Sequence, residues 1–110
     1  AHQPFRPTMV VDPRPDDGPV LIMLEYDINL DQIEEFVQKI QPLRLSRERD
    51  GASRWDLWQD IAVPGRFVEC FIVESWAEHY RQFLRFTLSD QELEHQVCAL
   101  LRNGAMPTMR

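Results

Sequence analysis

Little in this chain of 110 residues points towards a nucleic acid, a metal or a membrane span. Basic residues are the minority, 12 Lys and Arg against 18 Asp and Glu, for a formal net charge of −6. A phosphate backbone needs a basic face, and adhesion to anionic lipid needs one too, so the balance argues against both partners. Long apolar runs are missing as well. A run such as Val20 to Leu24, which none exceeds in length, falls far short of the roughly 18 residues of a membrane helix. Cysteine is limited to Cys70 and Cys98, neither of which has a second cysteine or a histidine at ligand spacing. No zinc or other metal is therefore expected, and the two are read as buried, reduced thiols of a cytosolic fold. No phosphate loop, Gly-rich dinucleotide fingerprint, nucleophile elbow or metal-helix motif occurs, so no cofactor is expected. A signal peptide and an initiating Met are also absent, and the chain is expected to begin inside a longer protein.

Proline is unevenly spread: five of the eight prolines fall within residues 1–19. With Asp16, Asp17 and Gly18 ahead of Pro19, residues 1–18 read as an extended Pro-rich linker. The domain proper then occupies 19–110, and the chain end is expected to cut its last strand short. With 44% hydrophobic residues, that domain has the means to bury a core.

Val20 to Ile28 alternates as a first strand. Asn29 with Gln32 then opens a helix whose apolar stripe is Leu30, Ile33, Phe36, Val37 and Ile40. Pro42 predicts a kink, and Gly51 a left-handed cap. From Ala52 the period returns to two. Trp55, Leu57 and Ile61 point one way; Arg54, Asp56, Trp58 and Asp60 point the other. Val63-Pro64-Gly65-Arg66 fits a type II turn, making the second and third strands a hairpin. In the third strand, Phe67, Phe71 and Val73 share one face while Val68, Cys70 and Ile72 share the other. A strand apolar on both sides must be covered twice. Ser75 and Glu78 form a capping box that starts a second helix on Trp76, Tyr80, Phe83 and Leu84, and Ser89 with Glu92 restarts it. Met106 to Arg110 is the candidate fourth strand.

This order predicts an α+β fold, the ferredoxin-like split βαβ unit with an antiparallel sheet and helices on one face. The uncovered face needs a partner, and Met23, Val68, Cys70 and Ile72 are its candidate dimer contacts. Among polar candidates, His79 reads as a surface or rim residue turned from the core stripe, and His95 has no role. Glu25 and Glu69 are expected to pair with Arg54 or Arg66 across strands. Arg44, Arg47 and Arg49 read as a solvated helix end. Tyr26, Trp58, Trp76 and Phe83 are the candidate lining of a pocket for a small aromatic ligand, while tryptophan also suits the centre of a subunit interface.

Four segments in order, Asp17-Gly18-Pro19-Val20-Leu21, Arg49-Asp50-Gly51-Ala52-Ser53-Arg54-Trp55, Pro64-Gly65-Arg66-Phe67-Val68-Glu69 and Glu74-Ser75-Trp76-Ala77-Glu78-His79, carry a resemblance. Over about residues 17–101 the chain resembles the soluble C-terminal domain of bacterial major facilitator superfamily permeases, in the transmembrane secretion effector (enterobactin-exporter-like) group. That domain is in turn similar to the antibiotic-biosynthesis monooxygenase superfamily, the dimeric α/β barrel. The resemblance implies a Pro-rich linker after the last membrane helix, a place on the cytoplasmic face of the plasma membrane, and a homodimer packed sheet to sheet.

It does not carry an active site. The enzymes of that superfamily use an Asn on the first strand, a Trp at the start of the second helix and often a His further along it. Trp76 matches the tryptophan, but Val20 to Ile28 contains no Asn, and Phe83 stands where many permease relatives have His. The resemblance thus implies a non-catalytic accessory or regulatory domain of a drug or metabolite exporter. The alternative is a cofactor-free monooxygenase-like enzyme, or a sensor of aromatic compounds, in which Trp76, His79 and Glu25 would act.

Overall fold

The computed structural model describes residues 18–84, 87–102 and 108–109, with only the backbone described at 82, 83, 108 and 109. Apart from Gly18, the expected linker lies outside the described residues. The elements are β1 (Val20–Asp27), α1 (Ile33–Arg49), β2 (Ser53–Gln59), β3 (Arg66–Val73), α2 (Trp76–Leu84), α3 (Leu88–Cys98) and β4 (Thr108–Met109), with a 3-10 turn at Leu30–Gln32. The strands form one sheet in the order β2-β3-β1-β4, every neighbouring pair antiparallel. That order is the ferredoxin-like split βαβ arrangement.

Alternation dictates the layers. The β1–β3 ladder runs from Val20 opposite Val73 to Asp27 opposite Arg66. Ile22, Leu24 and Tyr26 therefore share a face with Phe67, Phe71 and Val73, and all six are buried. Phe36, Ile40 and Leu43 of α1 and Val97 of α3 complete this core. The Phe36 ring lies 5.3 Å from Tyr26 and 5.1 Å from Phe67, centroid to centroid. Each such side chain contributes roughly 1.5–3 kcal/mol by leaving water.

The stripe of α1 differs from the sequence expectation. Leu30 and Val37 are exposed, and the buried line runs through Phe36, Ile40, Leu43 and Ser46. Leu30 falls in the 3-10 turn before α1, while Ile33 packs against the core in phase with Phe36 and Ile40. Asn29 donates from Nδ2 to Gln32 Oε1 at 3.0 Å, a side-chain pair in place of the expected backbone cap. Pro42 lies inside an uninterrupted α1, on its exposed side.

Both expected turns form. Gly51 follows α1 at φ +105°. Gly65, at φ +84°, occupies the third position of a turn closed by the Arg66 amide on the Val63 carbonyl at 3.1 Å. Ile61 lies past the end of β2 and is 96% exposed, so it does not join the inward row of Trp55 and Leu57. The α3 cap is Thr87, not Ser89: Thr87 Oγ1 accepts the Asp90 amide at 3.1 Å, and Asp90 Oδ2 accepts the Thr87 amide at 3.0 Å. The fourth strand pairs Thr108 with Glu25 and Met109 with Leu24.

Candidate functional site

A charge sits where the β3 alternation calls for an apolar residue. Glu69 follows Phe67 and precedes Phe71 on the helix-facing side, and it has no exposed surface. A buried carboxylate is tolerated only when its lone pairs are filled, and here they are. Tyr26 donates its hydroxyl to Oε1 at 2.7 Å, and Trp55 donates Nε1 to Oε2 at 2.9 Å. Arg47 donates Nε to Oε2 at 3.0 Å and Nη2 to Oε1 at 3.4 Å. The Arg47 guanidinium also approaches the buried Glu94 at 3.8 Å and stands 5.3 Å over the Phe71 ring.

The protonation states follow from this packing. Burial alone would push Glu69 upwards, but the Arg47 charge and the hydrogen bonds of Arg47, Trp55 and Tyr26 hold it below the usual carboxylate range. Burial and the adjacent Glu69 raise the Tyr26 hydroxyl well above that of free tyrosine. At neutral pH the centre is therefore a carboxylate held by a guanidinium, a neutral phenol and an indole.

Arg47 corrects the sequence expectation of a solvated helix end. It sits one turn beyond Leu43, on the buried side of α1, and its side chain is 13% exposed. Glu69 pairs with it, not with Arg54 or Arg66. Periodicity missed both because it counts any charge as outward. The available signal was the interruption of Phe67, Phe71 and Val73 by a glutamate at the same parity.

Arg49 and Ser46 build a second buried centre on Asp90 at the start of α3. Ser46 donates to Oδ1 at 2.6 Å and Arg49 Nη2 to Oδ2 at 2.9 Å. Burial would raise this carboxyl, but the hydrogen bonds from Ser46, Thr87 and Arg49 outweigh it and lower it. These contacts clip α1 to α3.

The second helix is turned further than its apolar spacing suggests. Ser75 Oγ accepts the Glu78 amide at 3.2 Å, which confirms the expected start. Yet Tyr80 is 51% exposed and Leu84 is exposed, whereas His79 is half-buried. His79 thus belongs to the inner side, not the rim. Its ring lies 5.1 Å from that of Trp76. Nδ1 is buried and has no hydrogen-bond partner among the described residues. Burial, with the Arg47 charge second, lowers the His79 pKa, which favours the neutral ring. Phe83 belongs to α2, but its side chain lies outside the described residues.

The remaining candidates lie on the opposite face of the sheet. Glu25 pairs in register with Val68 and Val68 with Trp58; Met23 pairs with Cys70 and Cys70 with Asp56. Trp58 is 61% exposed there and cannot line a pocket with the fully buried Tyr26, whose parity is opposite. Glu25 also cannot act with Trp76 and His79. It is held by Arg66, 2.7 Å away, which also reaches Asp27 at 2.9 Å. Met23, Val68, Cys70 and Ile72 are all half-buried on this face. Cys70 and Cys98 are free and half-buried, not fully buried as expected. Burial raises both thiols, Cys98 to about 11.

Among the described residues no group of three His, Cys, Asp or Glu side chains is placed to hold a metal ion, and no helix is long and apolar enough to cross a membrane.

A family model described as "Transmembrane secretion effector" matches residues 2–110. No curated protein matches the chain. Among solved structures, a conserved protein from Methanosarcina mazei Go1 superposes with TM-score 0.68 at 9% identity, over 82% of this chain and 86% of its own. An antibiotic biosynthesis monooxygenase superposes with TM-score 0.65 at 18% identity, over 82% and 92%. Rv0793 from Mycobacterium tuberculosis superposes with TM-score 0.64 at 18% identity, over 84% and 93%. At such identities the likeness concerns the fold.

Proposed function

The chain belongs to the transmembrane secretion effector family, and from that premise we propose that it is the cytosolic accessory domain of an exporter, non-catalytic and dimerising through its open sheet face. Residues 1–18 would then be the tether from the last membrane helix. The Glu69 centre carries the non-catalytic reading. Its carboxylate, which has no exposed surface, accepts from Tyr26, Arg47 and Trp55. A general base needs a lone pair within hydrogen-bond reach of its substrate, and here those positions are filled. The half-buried row of Met23, Val68, Cys70 and Ile72 supports the dimer, because a second sheet would finish removing it from water.

The test has two arms. Removing residues 18–110 from the permease that carries them is expected to change its export rate. The isolated chain is expected to consume no dioxygen with phenolic or polyketide-like aromatics. Steady oxygen uptake by the isolated chain would overturn the non-catalytic reading. A monomer in sedimentation equilibrium at tens of micromolar would overturn the dimer. Ile72→Asp is expected to weaken that dimer by roughly 30-fold or more, as for an interface residue worth about 2 kcal/mol.

A second reading, a sensor of aromatic compounds, rests on His79. Its Nδ1 is a buried polar atom without a partner among the described residues, beside the Trp76 ring, and a ligand hydroxyl would satisfy it. Saturable quenching of the Trp76 emission by an export substrate, abolished in His79→Phe, is the outcome that favours a sensor.

A further inference from the structure

We propose that the backbone contact between Gly18 and the Glu74–Ser75 peptide is a latch that holds α2 closed over the interior. The latch lies at the end of the β1–β3 ladder. Val20 opposes Val73, so the same antiparallel path carried beyond the strand ends brings Gly18 onto Ser75. A Cβ on Gly18 would collide with the Glu74 carbonyl oxygen, and would meet Ser75 Cα at 2.7 Å and the Glu74 carbonyl carbon at 3.0 Å. All three are backbone atoms, which cannot swing aside as a flexible side chain does. Only glycine fits.

The peptide that Gly18 touches is the start of α2. Ser75 is its cap, accepting the Glu78 amide at 3.2 Å. The Glu78 side chain of the same turn lies against a second glycine: a Cβ on Gly51 would lie 3.0 Å from Glu78 Oε1. The first turn of α2 is thus fitted between Gly18 and Gly51. Elsewhere the helix is weakly anchored. None of its described side chains is fully buried, and Tyr80, Arg81 and Leu84 are exposed. An element with so little buried surface is the first to open, so contacts at its ends set its population of closed states. Opening α2 would carry Trp76 and His79 outward, while the sheet and the α1–α3 clip stay in place. A displacement at Gly18 is therefore read by α2 and by the interior beneath it. This inference goes beyond the accessory-domain reading and is tested on the chain alone, so either can fail without the other.

The experiment is residue-resolved amide hydrogen exchange on the full 110-residue chain carrying Gly18→Ala. Amides of α2 are expected to exchange at least about tenfold faster, a coupling of ordinary allosteric size, while Leu24 and Phe71 in the central strands keep their rates. Unchanged α2 rates, or an equal acceleration across the sheet, would overturn the latch. Ser75→Ala provides the reciprocal variant and removes only a cap. Because coupling works in both directions, loosening α2 this way is expected to accelerate the Val20 amide as well. Faster α2 exchange with an unchanged Val20 amide would show that no latch connects them.

Discussion

Arg47 on α1 and Glu69 on β3 meet inside the fold, Nε to Oε2 at 3.0 Å, with no exposed surface on the carboxylate. The pair joins the helix layer to the sheet at the middle of the molecule. Removing one partner leaves an uncompensated buried charge, which costs far more than the pair contributes. Arg47→Met is expected to destabilise the chain by roughly 3–5 kcal/mol, measured by urea denaturation. Adding Glu69→Leu to it should recover a large part of the loss. A double variant no more stable than Arg47→Met would show that the pair is not the cause.

Acid should attack the two carboxylate centres. Glu69 and Asp90 are both held below their ordinary values in the folded chain. Protons then bind the unfolded chain first. Their contribution is present in full above the unfolded values of about 4.3 and 3.9, and it is lost as pH falls through the lower folded values. Asp90→Asn is expected to flatten the acid limb of the stability curve. It should also cost roughly 1.5–3 kcal/mol at neutral pH, through its weakened bonds to Ser46 and Arg49.

His79 acts in a different window. Its folded pKa lies below the ordinary 6.5 because burial, and then the Arg47 charge, disfavour the imidazolium. The neutral ring's contribution is present above about pH 6.5 and is lost as pH falls towards the folded value. Replacing the ring by His79→Phe should remove the stability change between pH 7 and pH 5, leaving only the carboxylate limb below it. A wild-type curve flat over that interval would contradict a buried, neutral His79 ring.

Gly65 is required twice over. It has φ +84°, and a Cβ there would come within 2.5 Å of the Ile28 carbonyl oxygen. Gly65→Ala is expected to cost about 1–3 kcal/mol, read by thermal denaturation. Gly65→Asn should not rescue it. Asparagine tolerates the backbone angle but brings the same Cβ against Ile28.

Much of this was written plainly in the sequence. The two-residue period of Val20 to Ile28 and of Phe67 to Val73, and the Pro64-Gly65 turn, are local signals, and each formed where expected. What escaped was every polar group turned inward. Arg47 and His79 look like surface residues to a rule that sends charge outwards; the group that permits the burial of Arg47, Glu69, lies on a distant strand, and His79 turns inward beside Trp76 of its own helix. The phase of α2 escaped for a related reason. Trp76, Tyr80 and Leu84 form a convincing apolar stripe, yet the helix turned to bring in an imidazole and left Tyr80 outside. The fourth residue of the Glu69 centre, Trp55, was visible only as an aromatic, because its donor role depends on strand register.

The second strand carries a practical dividend. Trp55 faces the helices and bonds Glu69 through its indole nitrogen, while Trp58, three residues on, lies bare on the other side of the sheet. One short segment therefore holds two optical gauges that look in opposite directions. With the other tryptophans replaced by phenylalanine, Trp55 emission would report on the electrostatics within a subunit. Trp58 alone would darken or shift only when something settles on the open face, so folding and assembly could be followed separately in a single cuvette.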